Sequence, residues 1–319
     1  MDGLLVHPGF YLVYVDDNGG MSMKTPLDGC DDISGKGYRC ISHLWGNSTK
    51  WANHPVENIP WSVDLREEKR EKLLQIFRHY KGYWWIDVFC IDQSSDNKPL
   101  SIMGDVYRNC VECICLLDIK IPGILHWHYG PFPKNSIKVL YDHIFELIGC
   151  EWNKRVWTLQ EWCLPQKVLY TEETIEKDFT MIDPSSLGDL SDRMEGTCSN
   201  LYLFLYSVTK FRYIAPLMYL TNREYGGINI VHLISSGRKC KNLEDYYYGI
   251  AGIAGVPLKD GLSFLEAEKE FLSYINDNNK WSDILITRTK PVNEKYGVYK
   301  SWNVKTDSAL LDFVIPWIF

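Results

Sequence analysis

The chain has 319 residues, 45% hydrophobic and 24% charged, enough to bury a sizeable core in one large domain or two and too apolar for long disorder. A formal charge of -7 and the lack of any Lys/Arg run exclude a nucleic-acid groove, because phosphate binding needs clustered cations. Asp2 stands where a signal peptide would be positive, and no apolar run approaches membrane-spanning length, so the expectation is a cytoplasmic protein with no membrane span.

Phe10 to Val15 is an aromatic and β-branched run ending at Asp16, Asp17, Asn18, Gly19 and Gly20, the pattern of an edge strand entering a turn. In YRCISHLWG, Cys40 to Leu44 reads as a buried strand, with Ser42, His43 and Trp45 near its C-terminal end. Asp64 and Glu67 have capping-box spacing, and Leu65, Leu73, Ile76, Phe77 and Tyr80 form a helical stripe. YWWIDVFCIDQ is apolar from Tyr83 to Ile91 apart from Asp87, which predicts a central parallel strand and an Asp87 that is buried only with partners.

Ile102, Met103, Val106 and Tyr107 mark a short helix before the buried strand VECICLLD. His126, Trp127 and His128 read as a connection, Leu140 to Ile148 as a helix, Glu151 to Cys163 as another, and Lys167 to Tyr170 as the last strand. Alternation of strand and helix predicts a doubly wound α/β sheet over residues 1–183, with ligands beyond the C-terminal strand ends, where Trp45, Asp92 and Gln93 would meet. Residues 184–319 read as a mainly helical continuation, including Leu201 to Val208, Ile214 to Leu220, Ile228 to Ile234, 244–254 and Phe264 to Ile275.

Ten cysteines sit mostly in apolar runs, such as Cys40, Cys90, Cys113 and Cys115, and read as reduced core thiols. Cys110 and Cys113 form a C-x-x-C with no second pair at metal spacing, so no metal site is expected. A hydrolase pairing Cys90 with His43 is disfavoured, because an apolar strand raises a thiol pKa.

In EWNKRVWTLQEWCLP, Trp157 and Glu161 are four residues apart and share one helix face, a pairing that suits holding a ring and stabilising a cation. A core helix whose Glu161 pairs with an arginine has the same periodicity.

YRCISHLWG, YWWIDVFCIDQ and RVWTLQEW, in this order and spacing, resemble the signature of the heterokaryon-incompatibility (HET) domain. GRKCKNLEDYYYGIAGI, with Arg238, Asp245, Tyr248 and Gly249, resembles the segment that follows in that family. His43 departs from it, standing where an aromatic such as Tyr is usual. The resemblance implies a cell-death or nonself-recognition module, frequently joined to nucleotide-binding oligomerisation domains.

HET domains are in turn similar to TIR domains, with their flavodoxin-like sheet. Many TIR domains cleave NAD through a glutamate four residues after a tryptophan on the helix before the last strand, here Glu161 after Trp157. The implied activity is a TIR-like NAD glycohydrolase in immune signalling, with NAD as substrate and no cofactor. Catalysis would fall to Glu161 and binding to Ser42, Trp45, Asp87, Asp92, Gln93, Arg155 and Trp157. Partners would be a second copy or a nucleotide-binding oligomerisation partner. The alternative is a non-enzymatic assembly module, in which Asp87 and Glu161 pair with Arg155 or Arg238.

Overall fold

The computed structural model describes residues 2–28, 33–95, 98–120, 146, 149–175, 181 and 238–278. The expected connection at 126–128, most of the helix at 140–148, the boundary near 183 and the helical runs between 184 and 234 lie outside the described residues.

Strands β1 (Leu12–Val15), β2 (Met21–Lys24), β3 (Tyr38–Ser42), β5 (Val56–Glu57), β7 (Gly82–Trp85), β8 (Glu112–Leu117) and β9 (Val168–Glu172) form one sheet in the order β5-β2-β1-β7-β3-β8-β9. Two short strands, β4 (Thr49–Lys50) and β6 (Asp64–Leu65), pair apart from it. β7, β3, β8 and β9 are mutually parallel, so the chain's second core strand lies beside the first and the third follows on the other side. That is the order of a flavodoxin-like doubly wound sheet, whose switch point falls between β3 and β8. β8 and β9 are buried along their whole length, as strands covered on both faces must be.

The sheet departs from the expected parallel pattern at one side. β1 is antiparallel to both β2 and β7, so it lies inside the sheet and not at its edge. Its alternating run carries no direction, and the short turn at Asp16 to Gly20 returns the chain as β2, with Gly20 N-H donating to Asp16 at 2.8 Å.

Beside the two N-terminal turns α1 (Asp2–Leu5) and α2 (Ile33–Lys36), the described helices are α3 (Glu67–His79), α4 (Asp87–Cys90), α5 (Met103–Asn109), α6 (Glu151–Lys154), α7 (Val156–Cys163), α8 (Asp245–Ala254) and α9 (Phe264–Asp277). Helix α3 buries Leu73, Ile76 and Phe77 as its stripe predicts, but Lys69 and Lys72 lie on the same buried face. Its expected capping box is not formed: Arg66 is the N-cap residue, and Asp64 belongs to β6.

The apolar run after Tyr83 is also not one strand. It leaves the sheet after Trp85 and turns helical at Asp87, because a short buried run fits a helix as well as a strand. The helix expected from Glu151 to Cys163 is likewise broken at Arg155, whose extended backbone (φ -85, ψ 141) ends α6 and starts α7. That break is held from outside: Val156 N-H donates to the Lys239 carbonyl at 3.0 Å, and Lys239 N-H to Lys154 at 2.6 Å. Helix α8 then lies across α5 and α7 at glycines. A Cβ on Gly252 would stand 2.6 Å from the Gly104 Cα, and one on Gly249 2.9 Å from Val156. Helix α9 has a true capping box between Ser263 and Glu266, and it buries Ala267, Phe271 and Ile275 as expected.

Candidate functional site

Beyond the C-terminal ends of β3 and β7 lies a cleft of about 1110 Å³, walled by the segments after both strands, α7, and the ends of α8 and α9. It is the place where a doubly wound sheet leaves room for a ligand.

Ser42 ends β3, and its hydroxyl accepts the Trp152 indole N-H at 2.8 Å while donating to Glu161. Glu161 reaches it from α7, is 7% exposed and lines the cleft. Burial pushes its carboxyl up to about 8, and the charge of Asp87 adds to this against the Ser42 hydrogen bond, the Arg155 charge and the Tyr107 hydroxyl. At neutral pH Glu161 is therefore mostly an uncharged acid, and a cation placed beside it would draw it to the anion.

Asp87 starts α4 and accepts three N-H groups: from His43 at 2.9 Å, from the Trp45 indole at 2.5 Å and from the Val88 backbone at 2.7 Å. Its side chain is 21% exposed, so it is mostly buried and it is partnered, as a carboxylate in an apolar run must be. Burial raises its carboxyl, but His43 and the hydrogen bonds of Trp45 and Val88 outweigh that and hold it below the ordinary range. The other His43 nitrogen faces the Leu44 carbonyl at 3.1 Å. Both ring nitrogens thus face oxygen atoms, which fixes the orientation of the ring. Trp45 lies nearly parallel to His43, with ring centroids 6.3 Å apart, and its indole is held at the cleft wall by Asp87.

Trp157, one turn before Glu161, also lines the cleft, and its indole is hydrogen-bonded to Asp245 at the start of α8. Gln93 lines the cleft and donates to the Asp87 carbonyl at 3.3 Å; Arg155 lines it from the break between α6 and α7. Asp92 does not. Its carboxylate turns to Ser94, accepting the backbone N-H at 2.9 Å and the hydroxyl at 2.6 Å, and so closes its own turn. Arg238 pairs with neither Asp87 nor Glu161; it donates to the Arg155 carbonyl at 3.0 Å and to Thr158 at 3.2 Å, fixing the break from behind.

Other residues of the site carried no local signal. Trp152 and Tyr107 contact the Ser42 and Glu161 pair from a neighbouring helix each. Lys69, fully buried, donates to the Leu44 carbonyl and pairs with Glu173 at 3.0 Å, and burial lowers its ammonium to about 8. Lys98, Lys241, Tyr248, Leu262 and Phe264 line the cleft from segments distant in sequence. The thiol of Cys90 is fully buried and pushed up to about 12 by that burial, which leaves it no nucleophilic role beside His43. Among the described residues no cluster of His, Cys, Asp and Glu is arranged to hold a metal ion, and no helix is long and apolar enough to cross a membrane.

Fold and site together define a doubly wound α/β protein with a roomy cleft beyond the C-terminal ends of β3 and β7, walled by two anchored tryptophans and a buried glutamic acid. Residues 38–121, which include β3, β7, Asp87 and β8, match the family described as Heterokaryon incompatibility protein (HET). No curated protein and no solved structure gives a significant match to the chain.

Proposed function

We propose that this cleft is a TIR-like NAD glycohydrolase site, acting in the cytoplasm in a cell-death or nonself-recognition response. The HET match over residues 38–121 supports the biological role. The observation that carries the chemistry is Glu161, a buried carboxyl in the cleft wall one turn after Trp157 and in reach of Ser42. In this reaction the bond between the ribose C1′ and the nicotinamide nitrogen breaks, and its electron pair neutralises the ring nitrogen. Water then adds to the ribosyl cation and loses a proton.

Because the leaving ring is already cationic, no second carboxyl is needed as acid, unlike the paired groups of ordinary glycosidases. Glu161 stabilises the cation electrostatically, and the positive nicotinamide ring favours its ionisation on arrival. Trp45 and Trp157 offer ring faces, and Arg155 faces the pyrophosphate. Asp87 orients Trp45 and lines the cleft beside it. Partners of the site would be a second copy or a nucleotide-binding oligomerisation partner.

The purified protein, alone and fused to an oligomeriser, is to be incubated with NAD while nicotinamide is measured. Release that falls by about 10² or more in Glu161→Gln, with unfolding unchanged, is the expected result. A specific observation favours a second reading, an assembly module without chemistry: Glu161 is buried beside Ser42 and Trp152 and uncharged near neutral pH, as a structural carboxyl would be. Absence of nicotinamide under forced assembly, or full turnover by Glu161→Gln, would establish that reading instead.

A further inference from the structure

Charged and aromatic residues share the wall of this one cleft. Arg155 acts electrostatically on both Glu161 and Asp245, Lys98 acts on Asp245, and Asp245 in turn acts on Tyr248. Lys98 and Arg155 thus line the same cleft as the Glu161 carboxyl near the strand tips and the aromatic side chains at the turn joining α8 to α9.

That aromatic part of the wall is built differently from the part around Glu161. The Tyr248 hydroxyl donates to the Lys259 carbonyl and accepts the Leu262 N-H at 3.1 Å, so the ring and the turn hold each other still. Phe264 is half-buried, rests on Tyr247 with ring centroids 5.4 Å apart, and lines the cleft together with Leu262 and Tyr248. Glu266 accepts the Ser263 N-H at 2.9 Å, which places a carboxylate, hostile to phosphate, at the start of α9. An apolar, pre-ordered corner with a negative rim takes a flat uncharged ring and repels an anion. A cleft of about 1110 Å³ also exceeds the usual range of small-ligand pockets, roughly 300–1,000 Å³, and has room for two bases and the link between them.

We propose that Leu262 and Phe264, backed by the buried Tyr248, form a second base-binding subsite that takes the adenine end of the dinucleotide, with Lys98 and Arg155 at its pyrophosphate. The assignment rests on the reading of the cleft as an NAD site. It makes the α8–α9 turn the part of the chain that distinguishes a dinucleotide from nicotinamide mononucleotide.

The test is calorimetric binding of AMP to the full chain, beside turnover of NAD and of nicotinamide mononucleotide. Phe264→Ala is expected to weaken AMP about tenfold and to raise KM for NAD while leaving the mononucleotide unchanged, since one stacked base is worth about that much. Phe264→Tyr keeps the ring and restores binding. Should Phe264→Ala fail to fold, Leu262→Ala carries the test, with about a threefold loss expected. AMP that does not bind wild type at millimolar concentration, or binds the alanine variants equally well, overturns the subsite even if NAD is cleaved through Glu161. Ring-dependent AMP binding without any NAD cleavage upholds the subsite and removes the glycohydrolase.

Discussion

The hydroxyl of Ser42 stands between Trp152, whose indole N-H it accepts at 2.8 Å, and the buried carboxyl of Glu161, to which it donates. Ser42→Ala leaves a fully buried indole donor without its acceptor, at a cost of about 1–3 kcal/mol in urea unfolding. The same change removes a hydrogen bond that holds the Glu161 carboxyl down, so its titration, followed by NMR, moves further up.

The pH dependence of stability follows from Glu161. Its folded pKa, near 8, lies above the value of 4.5 that it takes when unfolded, so between these values the folded state holds a proton that the unfolded state has lost. The stabilisation from this group is complete below pH 4.5 and is lost as pH rises through 8, at up to about 1.4 kcal/mol per unit. Subtracting the unfolding free energy of Glu161→Gln from that of wild type across this range isolates the slope from other groups. A flat difference would show that Glu161 is already ionised in the folded protein. If the anion is the catalytic form, kcat/KM for NAD rises over the same range.

Gly252→Ala tests the helix crossing. The new Cβ would lie 2.5 Å from Gln160 Oε1 and 2.6 Å from the Gly104 Cα, and the second of these cannot rotate away. A loss of about 1–3 kcal/mol is expected in urea unfolding. Gly104→Ala acts on the same contact, so the double variant should lose less than the sum.

Ser101 fastens the segment after β7 to the α8–α9 turn, with its N-H donating to Asp260 at 2.6 Å and its hydroxyl at 3.0 Å. Both residues are exposed, so Asp260→Ala should cost only about 0.5–1.5 kcal/mol in global stability. Local opening should change more: hydrogen exchange at Ser101 and its neighbours is expected to accelerate severalfold.

The parallel core was legible because each strand left a bounded apolar run, and the four-residue step from Trp157 to Glu161 put both on one cleft wall. Asp87 was legible as a partnered carboxylate, yet not as the start of a helical turn, since a run from Tyr83 to Ile91 has no period to read. The burial of Lys69 and Lys72 had no local sign, because a lysine looks the same facing Glu173 as facing water. Asp92 misled for the opposite reason: an acid at a strand end also closes turns, and here Ser94 two residues on takes it. The break at Arg155 depends on Lys239, a partner that nothing near Arg155 announces.

Arg155 and Arg238 are 83 positions apart in the chain, yet Lys239 forms a bridge with Arg155, and Arg238 bonds its carbonyl. The chain between them, which carries α7, Glu161 and β9, is thus held at both its ends. One residue added between Arg155 and Glu161 would swing the carboxyl by about 100° around α7 and out of the cleft wall. Related chains should therefore hold the spacing from the bridge to the glutamate fixed.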